Sequence, residues 1–213
     1  MEAGWDGGSD AHLFCSDIGR QHGLRHGLVA CDGALQRGVT QRELQEAASV
    51  MKHWPGGRGA RLAAELADPG AENMHETLGR ELVLEAGLGT PETQFPVRTS
   101  DGIKWCDIRV GNHVIECDGH IKYQSVERGG VARTSADEVA WEERKRERLV
   151  KDRRLLVTRL YWEDYWGRRR EAAVRRLQAD AADAVRLYGA DLDPALAREA
   201  AEIRRTRDRR RAG

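Results

Sequence analysis

A β-hairpin that carries acidic residues constrains this chain more than any other feature. It lies within segment 104–123, KWCDIRVGNHVIECDGHIKY. Residues 104–110 and 113–118 both alternate between apolar and polar side chains and are rich in strand formers. Gly111 and Asn112 between them form a two-residue turn signal that is typical of hairpins. Because such a turn fixes the register, we expect Arg109 opposite Val114 and Ile108 opposite Ile115.

Three carboxylates are expected on one face of this hairpin. The same register places Asp107 opposite Glu116, and the side-chain period of two places Asp118 on the face of Glu116. Like charges that face each other destabilise a strand pair unless something compensates them. A divalent cation would do so, because it binds carboxylate oxygens well. The alternative interpretation is that the three acids only solvate the outer face of an edge hairpin.

The opposite face of the hairpin is apolar, which predicts that it packs into the core. It carries Cys106, Ile108, Val110, Ile115 and Cys117. The four cysteines of the chain show no CxxC spacing, so we expect reduced thiols and a cytoplasmic location. No apolar run is long enough to span a membrane, and no signal-peptide pattern opens the sequence. We therefore expect no membrane association.

Charge is unevenly distributed, although the net charge of the chain is zero. Residues 1–140 hold 14 Lys and Arg against 21 Asp and Glu, whereas residues 141–213 hold 21 against 14. The basic part is mostly arginine and includes Arg168, Arg169 and Arg170. An acidic site beside an arginine-rich surface is typical of metal-dependent enzymes that act on a phosphate backbone. The alternative for the arginine-rich segment is an ordinary helix surface with salt bridges.

Two capping boxes mark helix starts in the first half of the chain. Thr40 with Glu43 predicts a helix that runs to about residue 53. Asn73 with Glu76 predicts another, which ends before Gly87. Glu76 lies in the first turn of that helix. It is therefore either the capping carboxylate or an acid that takes part in chemistry, and the sequence leaves both roles open.

The remaining elements complete an α/β pattern. Further helices are predicted at 12–37, 58–67, 135–151 and 164–188 and from residue 194, and further strands at 91–98 and 155–161. From residue 73 the order is therefore helix, three strands, helix and strand. This order divides the chain into a helical N-terminal region at 1–70, a core at 71–166 and arginine-rich C-terminal helices at 167–213.

Several motifs in this order resemble a known superfamily. They are Glu76 on a helix, AGLGTPETQFPV, Asp107 on the next strand, VIECDG, and WEERKRERL followed by LLVTRLYWED. Together they look like the PD-(D/E)XK restriction-endonuclease-like superfamily. The nearest branch is the very-short-patch-repair-endonuclease-like domain, which is found at the C-terminus of actinobacterial proteins described as antitoxin-like in type IV toxin–antitoxin systems. The resemblance covers roughly residues 25–166. It implies an α/β fold with a mixed central sheet flanked by helices, here with N-terminal and C-terminal helical extensions.

The resemblance also implies roles for individual residues. Asp107 and Glu116 would be the metal-binding acids, and Glu76 would be an additional acid on the first helix. Lys145 and Arg146 would lie on the helix after the hairpin and face the site or the DNA. The charge distribution, and not the resemblance, makes Arg168, Arg169 and Arg170 further candidates for contacts with nucleic acid.

This sequence departs from the family pattern in two respects. The lysine that the superfamily carries two residues after the second acid is replaced by Asp118, so its role would pass to Lys122. Relatives in this branch often begin with a winged-helix DNA-binding domain, for which there is no room before Thr40. The chain is then either a free-standing nuclease-like domain or one whose DNA targeting comes from a protein partner. A homodimer is also left open.

The function expected from these residues is metal-dependent hydrolysis of phosphodiester bonds in DNA. Asp107, Glu116 and the carbonyl of Cys117 would hold Mg²⁺, or Mn²⁺ in its place, with Asp118 or Glu76 holding a second ion or its water. Lys122 would orient the attacking water, and Tyr123 would donate a hydrogen bond to phosphate. Two alternatives remain. One is a catalytically inactive nuclease fold that binds DNA or acts as an antitoxin-like regulator, and the other is a protein-interaction scaffold.

Overall fold

The chain folds as a mixed α/β protein. The computed structural model describes residues 10–118, 150 and 152–212, without the side chains of residues 211 and 212. This part contains seven α-helices and a four-stranded mixed sheet. It forms two compact units, Met1–Glu81 and Leu82–Gly213, and the division falls inside the fifth helix. Nearly all of the predicted helix at 135–151 lies outside the described residues.

The first unit is built from helices. They are α1 (Ala11–His22), α2 (Leu24–Gln36), α3 (Gln41–Val50), α4 (Gly57–Leu66) and the first turns of α5 (Met74–Glu85). The prediction of one helix at 12–37 is wrong, because Gly23 adopts a φ of 83°, a left-handed conformation that glycine tolerates and that separates α1 from α2. The capping box of Thr40 and Glu43 at the start of α3 is confirmed.

Small residues let the helices of the first unit approach closely. A Cβ atom on Gly27 would lie 2.7 Å from the Cβ of Ala63, so α2 and α4 are in contact only because this position has no side chain. A buried ion pair joins α2 to α5, in which Arg80 donates to both carboxylate oxygens of Asp32 at 2.8 Å. Apolar and small side chains surround these contacts, among them Leu44, Ala60 and Cys31.

The second unit contains the sheet. Its strands are β1 (Glu92–Thr99), β2 (Gly102–Val110), β3 (His113–Asp118) and β4 (Leu156–Tyr161), in the order β1-β2-β3-β4. β1, β2 and β3 form an antiparallel meander, and β4 runs parallel to β3. All four strands occur close to their predicted positions. The alternation of side chains is what made these strands recognisable in the sequence.

Two long helices follow the sheet. After a 3₁₀ turn at Trp162–Tyr165 comes α6 (Gly167–Tyr188), which contacts β3 and β4, and then α7 (Pro194–Ala212), which contacts β1. Asn112 in the hairpin turn fixes the end of α6, because its Nδ2 donates to the carbonyls of Gly189 and Asp191 at 2.9 Å each. The hairpin turn therefore holds the segment that follows α6 as well as setting the strand register.

The C-terminal helix is part of the fold. The polarity of the segment from Arg204 onward predicts a peripheral position. Instead Arg204 donates to the main-chain carbonyl of Thr93 at 2.9 Å and to Glu92, and its guanidinium lies 5.7 Å from the centre of the Phe95 ring. The expectation was wrong because it was based on the polarity of the segment, and long arginine side chains can pack along a sheet.

The structure also tests the predictions on the state of the cysteines and on membrane-spanning helices. All four cysteines are buried free thiols, as predicted. Burial raises the pKa of Cys31 to about 12, so this thiol stays protonated at neutral pH. Among the described helices, none is long and apolar enough to cross a membrane.

Candidate active site

Asp107 lies where the pairing of β2 with β3 ends. The two strands pair in the predicted register, Arg109 with Val114 and Ile108 with Ile115, and the ladder does not continue beyond that pair. Instead, Oδ2 of Asp107 accepts a hydrogen bond of 2.7 Å from the backbone N–H of Cys117. This bond places the Asp107 carboxylate beside the peptide that joins Glu116 to Cys117. The predicted pairing of Asp107 with Glu116 is not part of the ladder, and the bond to the Cys117 N–H is what links Asp107 to this part of β3.

Alternation along the strands places the acids on one face, as expected. Asp107 and Glu116 are half-buried, and Asp118 is buried. On the opposite face Cys106, Ile108, Ile115 and Cys117 are buried as predicted. Tyr165 is completely buried, and this burial, next to Cys117, raises the pKa of its phenol. The acids are therefore backed by an apolar layer that holds the ends of the strands in place.

Arg159 on β4 belongs to the same cluster, and the sequence reasoning missed it. In the parallel register Arg159 lies opposite Glu116, and it donates to Asp118 at 3.3 Å. Asp118 is 6% exposed, so its charge is neutralised by a partly buried guanidinium. The alternation in the strand sequence LVTRLY carries the signal for this residue. It could be used only if β4 was known to pair with β3.

The acidic cluster offers some, but not all, of the oxygen ligands that a hard divalent cation takes. Asp107 and Glu116 supply carboxylate oxygens, and Cys117, which follows Glu116 in the chain and donates its N–H to Asp107, supplies a carbonyl. Within the part of the chain that the structure describes, no group of three His, Cys, Asp or Glu side chains could hold a metal ion. Mg²⁺ is commonly held by one or two carboxylates together with water and substrate phosphate, so two carboxylates and a carbonyl fit it. Asp118 is ion-paired to Arg159 and is the least suited of the predicted ligands.

Glu76 is a capping carboxylate. Its Oε2 accepts from the backbone N–H of Glu72 at 2.8 Å, and its Oε1 accepts from the Asn73 side chain at 2.5 Å. The Asn73 side chain in turn accepts from the backbone N–H of Glu76 at 3.1 Å. Glu76 is 6% exposed. These contacts account for the residue as a helix cap, and its role as an additional catalytic acid stays a prediction.

The arginines at the start of α6 differ among themselves. Arg168 and Arg169 are exposed, as a nucleic-acid contact requires. Arg170 forms an ion pair with Glu85 on α5, and its side chain is only 14% exposed. Because Arg170 is engaged in this ion pair, Arg168 and Arg169 are the better candidates for phosphate binding.

His113 is buried and belongs to a series of hydrogen-bonded side chains. It is 1% exposed, and its Nε2 lies 2.7 Å from the Thr158 hydroxyl, which donates to Asp180 at 2.5 Å. Burial lowers the pKa of His113 to about 4, against the opposing effect of Asp180. The imidazole is therefore neutral at physiological pH and fixes β3 against β4 and α6.

Four of the predicted site residues cannot be placed. Lys122, Tyr123, Lys145 and Arg146 lie outside the residues that the structure describes. Their roles toward water, phosphate and DNA stay predictions.

Comparisons with protein-family models, with curated proteins and with solved structures find no match to this chain.

Proposed function

We propose that this protein is a divalent-metal-dependent endonuclease of the restriction-endonuclease-like type, and that DNA is its substrate. The position of Asp107 carries the proposal. Its carboxylate is held at 2.7 Å from the N–H of Cys117, the residue after Glu116, just beyond the last paired residues of β2 and β3. Acids are seldom gathered in this way for structure alone, because the repulsion between them must be compensated.

The chain order supports the same proposal. One helix, an antiparallel meander of three strands and a fourth strand parallel to the third follow one another from residue 74 to residue 161. The resemblance to the PD-(D/E)XK superfamily rests on the same order, with a further helix at 135–151 that lies almost entirely outside the described residues. Asp107 lies within β2, and Glu116 and Asp118 lie near the C-terminal end of β3, so rigid central strands can hold a reacting group in a fixed position.

Each residue of the site has a separate role in this proposal. Asp107, Glu116 and the Cys117 carbonyl would hold the cation, which when bound supplies an activated water and stabilises negative charge on the phosphate. The Cys117 N–H fixes the orientation of the Asp107 carboxylate. Arg159 holds Asp118 in place through their ion pair, and its cationic head would also attract a phosphate oxygen. Lys122 is proposed to orient the water.

A plasmid-nicking assay tests the proposal. Purified protein should convert supercoiled plasmid to the open-circular or linear form with Mg²⁺ or Mn²⁺ and not with EDTA. Asp107→Asn and Glu116→Gln should each abolish this cleavage. Asp101→Asn is the matched control, since Asp101 is an acid in the turn between β1 and β2 that pairs with Lys104. If the wild-type protein leaves every form of DNA and RNA intact with either metal, the enzyme proposal is wrong.

A DNA-binding protein that does not cut is the second candidate. The ion pair between Asp118 and Arg159 favours it, because an arginine occupies the place that a cation would take in a fuller acidic cluster. On this alternative, Asp107→Asn and Glu116→Gln would bind DNA as the wild type does. Binding would fall steeply with salt and would not depend on a divalent cation.

A further inference from the structure

Three exposed aromatic side chains lie between the end of β4 and the start of α6. The solvent-exposed fraction is 37% for Tyr161, 40% for Trp162 and 43% for Trp166. Arg168 and Arg169 follow directly and are exposed too. We refer to these five residues as the aromatic–arginine surface. Large exposed aromatics grouped with arginines are unusual on a protein surface and indicate binding.

The two tryptophans of this surface are held in defined orientations. The Trp162 ring meets the Tyr165 ring edge-on, with centroids 6.2 Å apart and an interplanar angle of 85°. It also meets the Trp166 ring at 5.5 Å and 60°. Because Tyr165 is completely buried, it anchors the pair from below. Rings that are fixed before binding lose little entropy when a ligand stacks on them.

The charge of this surface attracts anions. Residues 159–176 contain six arginines against three acidic residues. One of those acids, Asp164, pairs with Arg176 at 2.7 Å. Arg168 and Arg169 stand in the first turn of α6, where the helix dipole disfavours positive charge and which holds no acidic residue. A bound phosphate would relieve this unfavourable arrangement.

The aromatic–arginine surface adjoins the acidic cluster. Tyr161 is the register partner of Asp118 in the β3–β4 pair, and Asp118 follows Glu116 by two residues on the same face. A polynucleotide strand that lies on the surface can therefore lead toward the proposed cleavage site.

We propose that the aromatic–arginine surface binds unpaired nucleotides, with bases stacked on Trp162 and Trp166 and phosphates held by Arg168 and Arg169. In a duplex the faces of the bases are covered by their neighbours, whereas in a single strand they are accessible to aromatic rings. The large apolar side chains exposed here are all aromatic, which suits bases better than the aliphatic face of a protein partner. The role of the surface as a substrate guide rests on the proposed nuclease function, but the binding itself does not.

Binding measured without cleavage tests this inference. The full chain in EDTA is titrated into a fluorescently labelled 20-nucleotide oligothymidine and, separately, into a blunt duplex of 20 base pairs, and anisotropy is recorded at several salt concentrations. The single strand should bind more tightly and quench tryptophan fluorescence. Trp162→Ala and Trp166→Ala should each weaken single-strand binding by about 5- to 150-fold, the range measured for the loss of one stacked base. Duplex binding should change much less.

Three further variants keep the result interpretable. Trp166→Phe keeps a stacking ring and should bind better than Trp166→Ala, while circular dichroism confirms that both variants fold. Trp54→Ala removes a tryptophan of the first unit that is 51% exposed, and this variant should bind like the wild type. Replacing both Arg168 and Arg169 by Ala should reduce the slope of log affinity against log salt by about 1.4, because each lost phosphate contact on a single strand accounts for about 0.7.

The outcomes separate this inference from the nuclease proposal. Equal affinity for single strand and duplex, or unchanged single-strand binding in both tryptophan-to-alanine variants, would overturn the inference and leave the surface as a protein contact. Tryptophan-dependent single-strand binding by a protein that cleaves nothing would support the inference and reject the nuclease.

Discussion

Replacing Asp32 by Asn should lower the free energy of unfolding of the first unit far more than the same change at an exposed acidic residue. Asp32 is 1% exposed and Arg80 is 3% exposed, so the two charges are fully removed from water. Asp32 also accepts from the backbone N–H of Asp68 at 2.9 Å and from the hydroxyl of Thr77 at 2.8 Å. Burial raises the pKa of this carboxyl, and Arg80 opposes that effect. The aspartate is thus tolerated in the core only because four hydrogen bonds satisfy it.

The expected cost follows from the charge that is left behind. Asn keeps the shape of Asp32 but leaves the Arg80 guanidinium buried without its counter-charge, which costs about 3–5 kcal/mol. Urea denaturation followed by circular dichroism should show the free energy of unfolding fall by this amount. Thr77→Val removes a single hydrogen bond to the same carboxylate and should cost only about 1 kcal/mol.

An exposed pair of the same chemistry is the control. Arg42 and Glu46 are four residues apart on α3, and their side chains are 86% and 61% exposed. Glu46→Gln should therefore leave the stability almost unchanged. If Asp32→Asn and Glu46→Gln shift the denaturation curve equally little, the buried pair does not hold α2 to α5 and the reasoning fails.

Three further changes test other parts of the fold. The folded-state pKa of His113 is about 4 and lies below its ordinary value of 6.5, so folding disfavours the protonated ring and stability is lost as the pH falls through this window. The wild type should lose about 3 kcal/mol more than His113→Gln between pH 7 and pH 4, and parallel curves would contradict this. Asn112→Ala leaves the carbonyls at the end of α6 without their donor and should cost about 1–3 kcal/mol, measured by thermal unfolding. Deleting residues 204–213 should lower the melting temperature, whereas deleting 208–213 should not. If the two truncated proteins melt at the same temperature, Arg204 does not contribute to stability.

Local patterns made the hairpin predictable. Gly111 and Asn112 fix the register of β2 and β3, and the period of two then places every side chain on its face. The capping boxes at Thr40 and Asn73 were recognisable for the same reason, since each is formed within a few residues of sequence. These features need no knowledge of the rest of the fold.

Contacts between distant segments could not be read in the same way. Arg159 joins the acidic cluster only because β4 pairs with β3 across more than thirty intervening residues. His113 follows a turn, which favours a surface position, and yet α6 and β4 bury it. The pairing of Arg170 with Glu85 likewise brings together residues 85 positions apart. Polar residues that satisfy one another in this way carry no periodic signal in the sequence.

Metal binding tests the central claim most directly, because it can be measured without knowing the substrate. The melting temperature of the wild type is recorded with increasing Mg²⁺ and Mn²⁺, next to Asp107→Asn and Glu116→Gln, with Asp101→Asn as the control. A cation that binds only the folded protein stabilises it by about 2.7 kcal/mol at 100 times its dissociation constant. We predict this stabilisation in the wild type and in Asp101→Asn, and its loss in both site variants. A stabilisation that survives both substitutions, or that the wild type never shows, would contradict a metal centre formed by Asp107 and Glu116.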